Sequence, residues 1–338
     1  MPRSTQGSEA MMRTIRRRRL RVVLAALAVG LAAGCGSGGT SAGQTDAGGV
    51  TTVKVGLIPI TDVAPLYLGI QKGFFTEQKL KIEPQLAAGG AAIVPAVVSN
   101  SNQFGFSNNV SLIVAKSKGV PLQVITPGVG ISPGHNEACQ VLVPGKSPIR
   151  GIKDLPGKTI AVNTLNNIGD VTIRAALEKG GVDPGSVKFT EIGFPDMVTA
   201  VEAGRVDAAW ECEPFVTALL DRGARSILNN YAETHPNLAV ASYFTSTAYA
   251  KSNPDVVRRF DTAMRKSLEY ANTHPDEIRK ILPEYAKIPA AQAAKIKMIA
   301  WPGTFERSSI EELVRLTQKY KLIQQPVSLD ELIQEPKS

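Results

Sequence analysis

The sequence predicts an α/β protein of two lobes, each a mostly parallel sheet flanked by helices. Three observations predict it. From Val50 onward, short apolar β-branched runs alternate with amphipathic runs of helical spacing, a pattern that demands parallel strands covered on both faces. The alternation is traversed twice. The chain of 338 residues, 43% hydrophobic and 20% charged, is ordinary for a globular protein with room for two compact domains.

The elements follow in order. "TTVKVGLIPI" reads as a buried strand, and "APLYLGIQKGFFTEQKL" as a helix stopped at a glycine, with Gly73 as its C-cap. "KIEPQLA", "NQFGFSN" and "PLQVITPG" read as strands, separated by the helical runs "AAIVPAVVSN" and "VSLIVAKSKG". The second half repeats the scheme. Its strands are "ACQVLV", "TIAVNT", "SVKFTEI", "VDAAWEC" and "RSIL", and its helices "VTIRAALEKGG", "DMVTAVEAG" and "PFVTALLDRG". From about Asn253 the chain is mainly helical, with Pro254 in a first turn and "IEELVRLTQKYKLI" as a later amphipathic helix.

The two halves superpose in sequence. Ile93 to Gly119 lies over Met197 to Gly223 without a gap, at an offset of 104 residues. Phe106 then meets Trp210, Ser107 meets Glu211, Asn108 meets Cys212 and Asn109 meets Glu213. Identity is low, so what is shared is architecture.

Charge narrows the function classes. The net charge is +8, but residues 1–35 hold seven of the 38 basic residues and one of the 30 acids. The remainder has 31 basic and 29 acidic residues, a net of +2. This nearly neutral body lacks the electrostatic footprint of a nucleic-acid binder. The leader has a basic segment, "RTIRRRRLR", then twelve apolar residues from Val22 to Ala33. That is the length of a signal-peptide core and too short to span a bilayer. It ends "LAAGC" at Cys35, which resembles the lipobox of bacterial lipoproteins, where the cysteine is lipidated. Residues 36–49, rich in Gly, Ser, Thr and Ala, read as a flexible tether. Cys139 and Cys212 remain, and in an oxidising exported compartment they are candidates for a disulfide.

Ligands of parallel sheets gather beyond the carboxyl ends of strands, where helix N-termini offer free N–H groups. That rule selects four segments: "PITDV" (59–63), "SNNV" (107–110), "TLNNIG" (164–169) and "WECEP" (210–214). Each polar residue in them also suits an N-cap or turn. Four such segments at equivalent places in two lobes point to a cleft. A glycine pair in "AAGGAA" (87–92) adds a place for close backbone approach. Enzyme readings do poorly. His135, His235 and His274 have no metal-ligand spacing, and neither a nucleophile elbow nor a phosphate loop occurs. A Cys212–His135 nucleophile–base pair is the remaining enzymatic arrangement.

Several stretches resemble one family. "VGLIPITDVAPLYLGIQKGFFTEQKLKIE", "SPIRGIKDLPGKTIAV", "AVEAGRVDAAWECEPF", "NPDVVRRFDTAM" and "KYKLIQQPVSLDELI" are similar to periplasmic binding proteins for aliphatic sulfonates, taurine, nitrate and thiamine-pyrimidine precursors. The resemblance runs from about Val53 to Glu335. It implies a type II periplasmic-binding-protein fold, two lobes joined by a two-stranded hinge, that closes on a small molecule and delivers it to an ABC permease and its ATPase. It implies no catalytic residues, cofactor, metal or nucleic acid. The expected organisation is a leader over 1–35, a tether over 36–49, a first lobe over 51–136, a second over 137–241, and the return to the first over 242–338. The expected state is a monomer anchored by lipid at the outer face of the bacterial cytoplasmic membrane, or periplasmic. An enzyme or sensor on the same scaffold is the alternative.

The candidate ligand-binding residues are Pro59, Thr61, Asp62, Gly90, Ser107, Asn108, Asn109, Asn166, Asn167, Trp210, Glu211 and Glu213. The four asparagines are read as polar contacts and Trp210 as an apolar or stacking wall. Glu213 is read as either a ligand acceptor or a cap on the next helix. Many sulfonate-type members carry an aromatic directly before the acid–proline pair, where this chain has Cys212. Trp210 lies two residues earlier, on the same strand face, so Glu211 is expected to point the other way. No arginine occurs in the four segments: a sulfonate or nitrate would be held by helix N-termini and Asn/Ser donors alone, and Asp62, Glu211 and Glu213 equally suit a ligand bearing an amine or ring N–H.

Overall fold

The structure is a computed structural model and describes residues 49–335. The leader, Cys35 and the tether up to residue 48 lie outside the described residues. Two five-stranded sheets organise the chain. The first contains β1 (Thr51–Leu57), β2 (Leu80–Leu86), β3 (Phe104–Asn108) and β4 (Leu122–Gly130). The second contains β5 (Cys139–Val143), β6 (Thr159–Val162), β7 (Lys188–Glu191), β8 (Ala208–Cys212) and β9 (Arg225–Leu228). β10 (Ala239–Ser246) returns to the first sheet.

The strand orders are β2-β1-β3-β10-β4 and β7-β6-β8-β5-β9. β1 runs parallel to β2 and β3, and β6 parallel to β7 and β8. In each sheet the fourth strand in the order, β10 or β5, is antiparallel to both its neighbours. That reversed strand is the one by which the chain enters the sheet from the other lobe. The two lobes therefore share one topology, as the sequence offset implied.

The offset holds at element boundaries. Gly90–Val98 and Phe194–Glu202 are equivalent helices, and β3 and β8 equivalent strands, each displaced by 104 residues at both ends. Even backbone punctuation is kept. Asn100 and Gly204 both have positive φ (60° and 66°), as do Gly119 and Gly223 (76° and 81°). The helix Ala64–Gln71 stops two residues before Gly73, whose φ of 79° ends it. A further turn, Phe74–Glu77, then places Phe75 in the core against Phe260. The long C-terminal run is two helices, Pro254–Thr273 and Pro275–Ala286, divided at His274 because Pro275 starts the second. The first lies on the first sheet, with Phe260 stacked on Phe104 at 3.9 Å between ring centroids.

β10 is absent from the strands read off the sequence. All eight of its residues are buried. It therefore shows none of the alternation that marks a strand with one wet face.

Candidate functional site

The carboxyl ends of β1 and β3 face those of β6 and β8 across a buried cavity of about 20 Å³, room for about one water molecule. Both lobes line it. The first contributes Ile58, Ile60, Asp62, Phe106, Asn108, Val240 and Ala241, and the second Asn163, Asn167, Ile168, Phe194, Trp210, Cys212 and Tyr231. The jaws are shut. Thr61 N donates to Glu213 O at 2.9 Å and Asn163 Nδ2 to Ala88 O at 3.3 Å, both from one lobe to the other.

Four of the twelve candidates line the cavity: Asp62, Asn108, Asn167 and Trp210. The two asparagines also cap the helices that follow. Asn108 Oδ1 accepts from Ser111 N at 2.9 Å, and Asn167 Oδ1 accepts from Gly169 N at 2.9 Å. Asn167 Nδ2 donates to Asn163 Oδ1 and Thr164 Oγ1. The face argument about β8 holds, since Trp210 and Cys212 line the cavity while Glu211, between them, does not.

The other candidates have other work. Asn109 is bound at both ends of its amide, donating to Ala239 O and accepting from Ser242 Oγ, each at 2.8 Å. Asn166 is exposed, has φ of 56°, and donates its N–H to Asp170 Oδ2. Glu213 caps: its carboxylate accepts from Thr217 N, Thr217 Oγ1 and Lys297 N at 3.0, 2.7 and 3.2 Å. The glycine pair serves close packing against side chains. A Cβ on Gly90 would lie 2.0 Å from Ser107 Oγ, and one on Gly89 2.7 Å from Thr164 Cγ2 in the other lobe. Pro59 borders a groove beside the cavity, and Thr61 is buried with Oγ1 unpartnered. Cys139 and Cys212, paired directly across β5 and β8, form a disulfide.

The electrostatics centre on Asp62. Its Oδ1 has no partner, and burial raises its pKa from 3.8 to about 7. The loop that carries it is held rigidly. Trp301 Nε1 donates to Asp62 O at 3.0 Å, and Tyr285 OH to Ile60 O at 2.9 Å, with Tyr285 stacked on Tyr67. Across the cavity Trp210 Nε1, a donor, is also unpartnered. Tyr231 meets the Trp210 ring edge-on, and Phe194 meets it tilted. No lysine or arginine lines the cavity. Glu211 is fully buried with both carboxylate oxygens unpartnered, and burial pushes its pKa well above the usual carboxylate range.

Sequence reasoning missed Asn163, Phe194, Tyr231 and the hydrophobic lining from Ile58, Ile60, Val240 and Ala241. Phe106 carried a usable signal, because the offset aligns it with Trp210. Ile58, Ile60 and Asn163 lie at the ends of strands read from the sequence, while Phe194, Tyr231, Val240 and Ala241 lie outside every element read there.

The chain is similar to known proteins in sequence and in fold. A family model described as NMT1/THI5 like matches residues 60–278. The taurine-binding periplasmic protein of Escherichia coli (strain K12) is 31% identical over 175 residues, which cover 51% of this chain. The match spans 51% of that relative's own length. The riboflavin-binding protein RibY of Chloroflexus aurantiacus is 22% identical over 249 residues, 73% of this chain and 69% of that protein. The solved alkanesulfonate-binding protein SsuA from Xanthomonas axonopodis pv. citri, bound to MOPS, superposes with a TM-score of 0.66 at 21% identity, covering 80% of this chain and 90% of the other.

Proposed function

The chain belongs to the NMT1/THI5-like family, and on that premise we propose that it is the solute-binding lipoprotein of an ABC importer. It captures a small solute between the lobes by domain closure and hands it to the membrane permease and its ATPase. Lipid on Cys35 holds the body at the outer face of the membrane. Relatives named for taurine and riboflavin binding support the general role.

One observation carries the choice of ligand class. Asp62 and Trp210 line one cavity from opposite lobes with no cationic side chain in its walls, and Asp62 Oδ1, an acceptor, and Trp210 Nε1, a donor, are both unpartnered. A ligand that donates an N–H or ammonium to Asp62 satisfies a buried group whose desolvation is otherwise costly. A nitrogen heterocycle or amine fits that demand, while sulfonate and nitrate find no counter-charge. Touching both lobes at once, the ligand favours the closed state by its differential affinity. The enzyme alternative loses its nucleophile, since Cys212 is disulfide-bonded.

Thermal-shift screening against sulfonates, nitrate, pyrimidines, flavins and amines tests this reading. A ligand at 100 times its Kd raises stability by about 2.7 kcal/mol. The expected hit bears an N–H or ammonium and is lost in Asp62→Asn. A sulfonate or nitrate hit that survives Asp62→Asn overturns the ligand class. Turnover of the bound compound overturns the role.

A further inference from the structure

We propose that residues 290–301 form a strap that latches the lobes in a shut arrangement which competes with the solute, so that the strap sets the affinity of the cleft. This rests on the cleft reading above and extends it to regulation. The shut jaws exclude a solute by volume. Thr61 N and Glu213 O are 2.9 Å apart. The chain's own Ile58, Phe106, Phe194, Trp210 and Tyr231 fill the space between the lobes, leaving about 20 Å³. Anything larger than a water molecule holds the jaws further apart than this.

The strap crosses from the first lobe to the second. It begins in the short helix Ala290–Ala293, where Gln292 Nε2 donates to Pro214 O at 2.8 Å. Lys295 Nζ then binds both carboxylate oxygens of Asp221, at 2.9 and 3.0 Å. Lys297 N donates to Glu213 Oε1 at 3.2 Å. Its Nζ lies 3.6 Å from Glu137 Oε2, where the chain enters β5. The far end is anchored in the first lobe. Ala300 and Gly130 exchange both backbone hydrogen bonds at the end of β4, and Trp301 Nε1 holds Asp62 O. One segment therefore ties the second jaw, through Glu213 and the helix Phe215–Asp221, to the loop that carries Asp62. Exposed ion pairs are weak singly; here two of them and two hydrogen bonds bear on one equilibrium. Gln292, Lys295 and Lys297 do not line the cavity, so the strap acts on the position of the lobes and not on the solute. The apparent Kd is the intrinsic Kd divided by the fraction of molecules that can admit the solute, and the strap lowers that fraction.

The chain has two tryptophans, Trp210 in the cavity wall and Trp301 buried in the first lobe. Acrylamide quenching of their fluorescence therefore reads opening without a ligand. Lys295→Asp sets a like charge against Asp221, and combined with Gln292→Ala it cuts the strap at positions outside the cavity. The quenching constant is expected to rise at least twofold, and Asp221→Lys added to the pair is expected to recover at least half of the rise. In a Trp210→Phe background the rise is absent. No rise, a rise that Asp221→Lys leaves untouched, or a rise that persists in Trp210→Phe, as unfolding would give, overturns the strap. Calorimetry with cytosine, riboflavin and benzylamine reads the competition. A compound that binds the unaltered protein is expected to bind the cut variant at least threefold more tightly, and equal or weaker binding overturns the inference. Failure of all three compounds to bind either protein sinks the ligand class proposed above, and the quenching then decides the strap alone.

Discussion

The two jaws solve one mechanical problem with different chemistry. Each jaw strand, β3 or β8, lies beside the reversed strand of its sheet, β10 or β5. In the second lobe Cys212 is bonded to Cys139 across that pair. The equivalent cross-strand pair in the first lobe is Asn108 and Ala241, which is not covalent. There the neighbouring Asn109 ties the jaw instead, through its two hydrogen bonds to Ala239 and Ser242. A duplicated architecture thus constrains position more tightly than chemistry. The strand end must be fixed to the reversed strand, and either a disulfide or a saturated amide can fix it.

Breaking each tie sharpens the comparison. The disulfide closes a loop with a sequence separation of 73. Its removal in Cys139→Ser with Cys212→Ser is expected to cost about 4 kcal/mol by the chain-entropy relation, read as a lower denaturant midpoint under non-reducing conditions. Asn109→Ala, the matching cut in the first lobe, leaves the Ala239 carbonyl and the Ser242 hydroxyl without their partner. It is expected to cost about 2–3 kcal/mol in the same measurement. A loss below about 0.5 kcal/mol would show that the first jaw is held by something else.

Smaller effects come from Glu211 and Trp210, polar groups of β8 that have no partner. Glu211 has its pKa raised by burial. The folded state therefore holds a proton that the unfolded chain releases near pH 4.5. The wild type loses stability as pH rises above that value, by up to about 1.4 kcal/mol per pH unit, until the folded group ionises too. Glu211→Gln lacks this loss, so its melting temperature should exceed that of the wild type at pH 8 and the advantage should vanish at pH 4. Parallel pH profiles would mean that Glu211 has a partner in solution. Trp210→Phe keeps an aromatic wall and removes only the indole N–H. Ligand affinity should fall by about 1 kcal/mol, roughly fivefold, in calorimetry with whichever compound binds.

The halves differed in how well sequence exposed them. The repeat was legible because turns enforce it: Asn100 and Gly204, or Gly119 and Gly223, need the same left-handed backbone in both lobes. β10 was not legible, since burial on both faces erased its periodicity. The strand-end rule found segments that meet at the cavity but not which of their residues line it. Asn108 and Asn167 do cap helices and also line the cavity, whereas Asn109 and Asn166, adjacent in sequence, do not line it. Adjacent residues of a strand–helix junction point in different directions, and composition does not record direction. Tyr231 and Phe194 were hidden for a different reason: Phe194 opens a helix read only from Asp196, and Tyr231 lies in a short helix that was not read at all.

The disulfide also has a topological consequence. Joining residues 139 and 212 turns the chain between them into a covalent ring that contains β5, β6, β7 and β8, four of the second sheet's five strands. A ring whose cross-link also lines the cleft cannot part from its own wall without breaking a bond. On the proposed opening and closing, the ring stays intact, and the change falls on the two crossings between the sheets, residues 131–138 and the stretch between β9 and β10. The second lobe would then swing as a closed hoop on those two crossings.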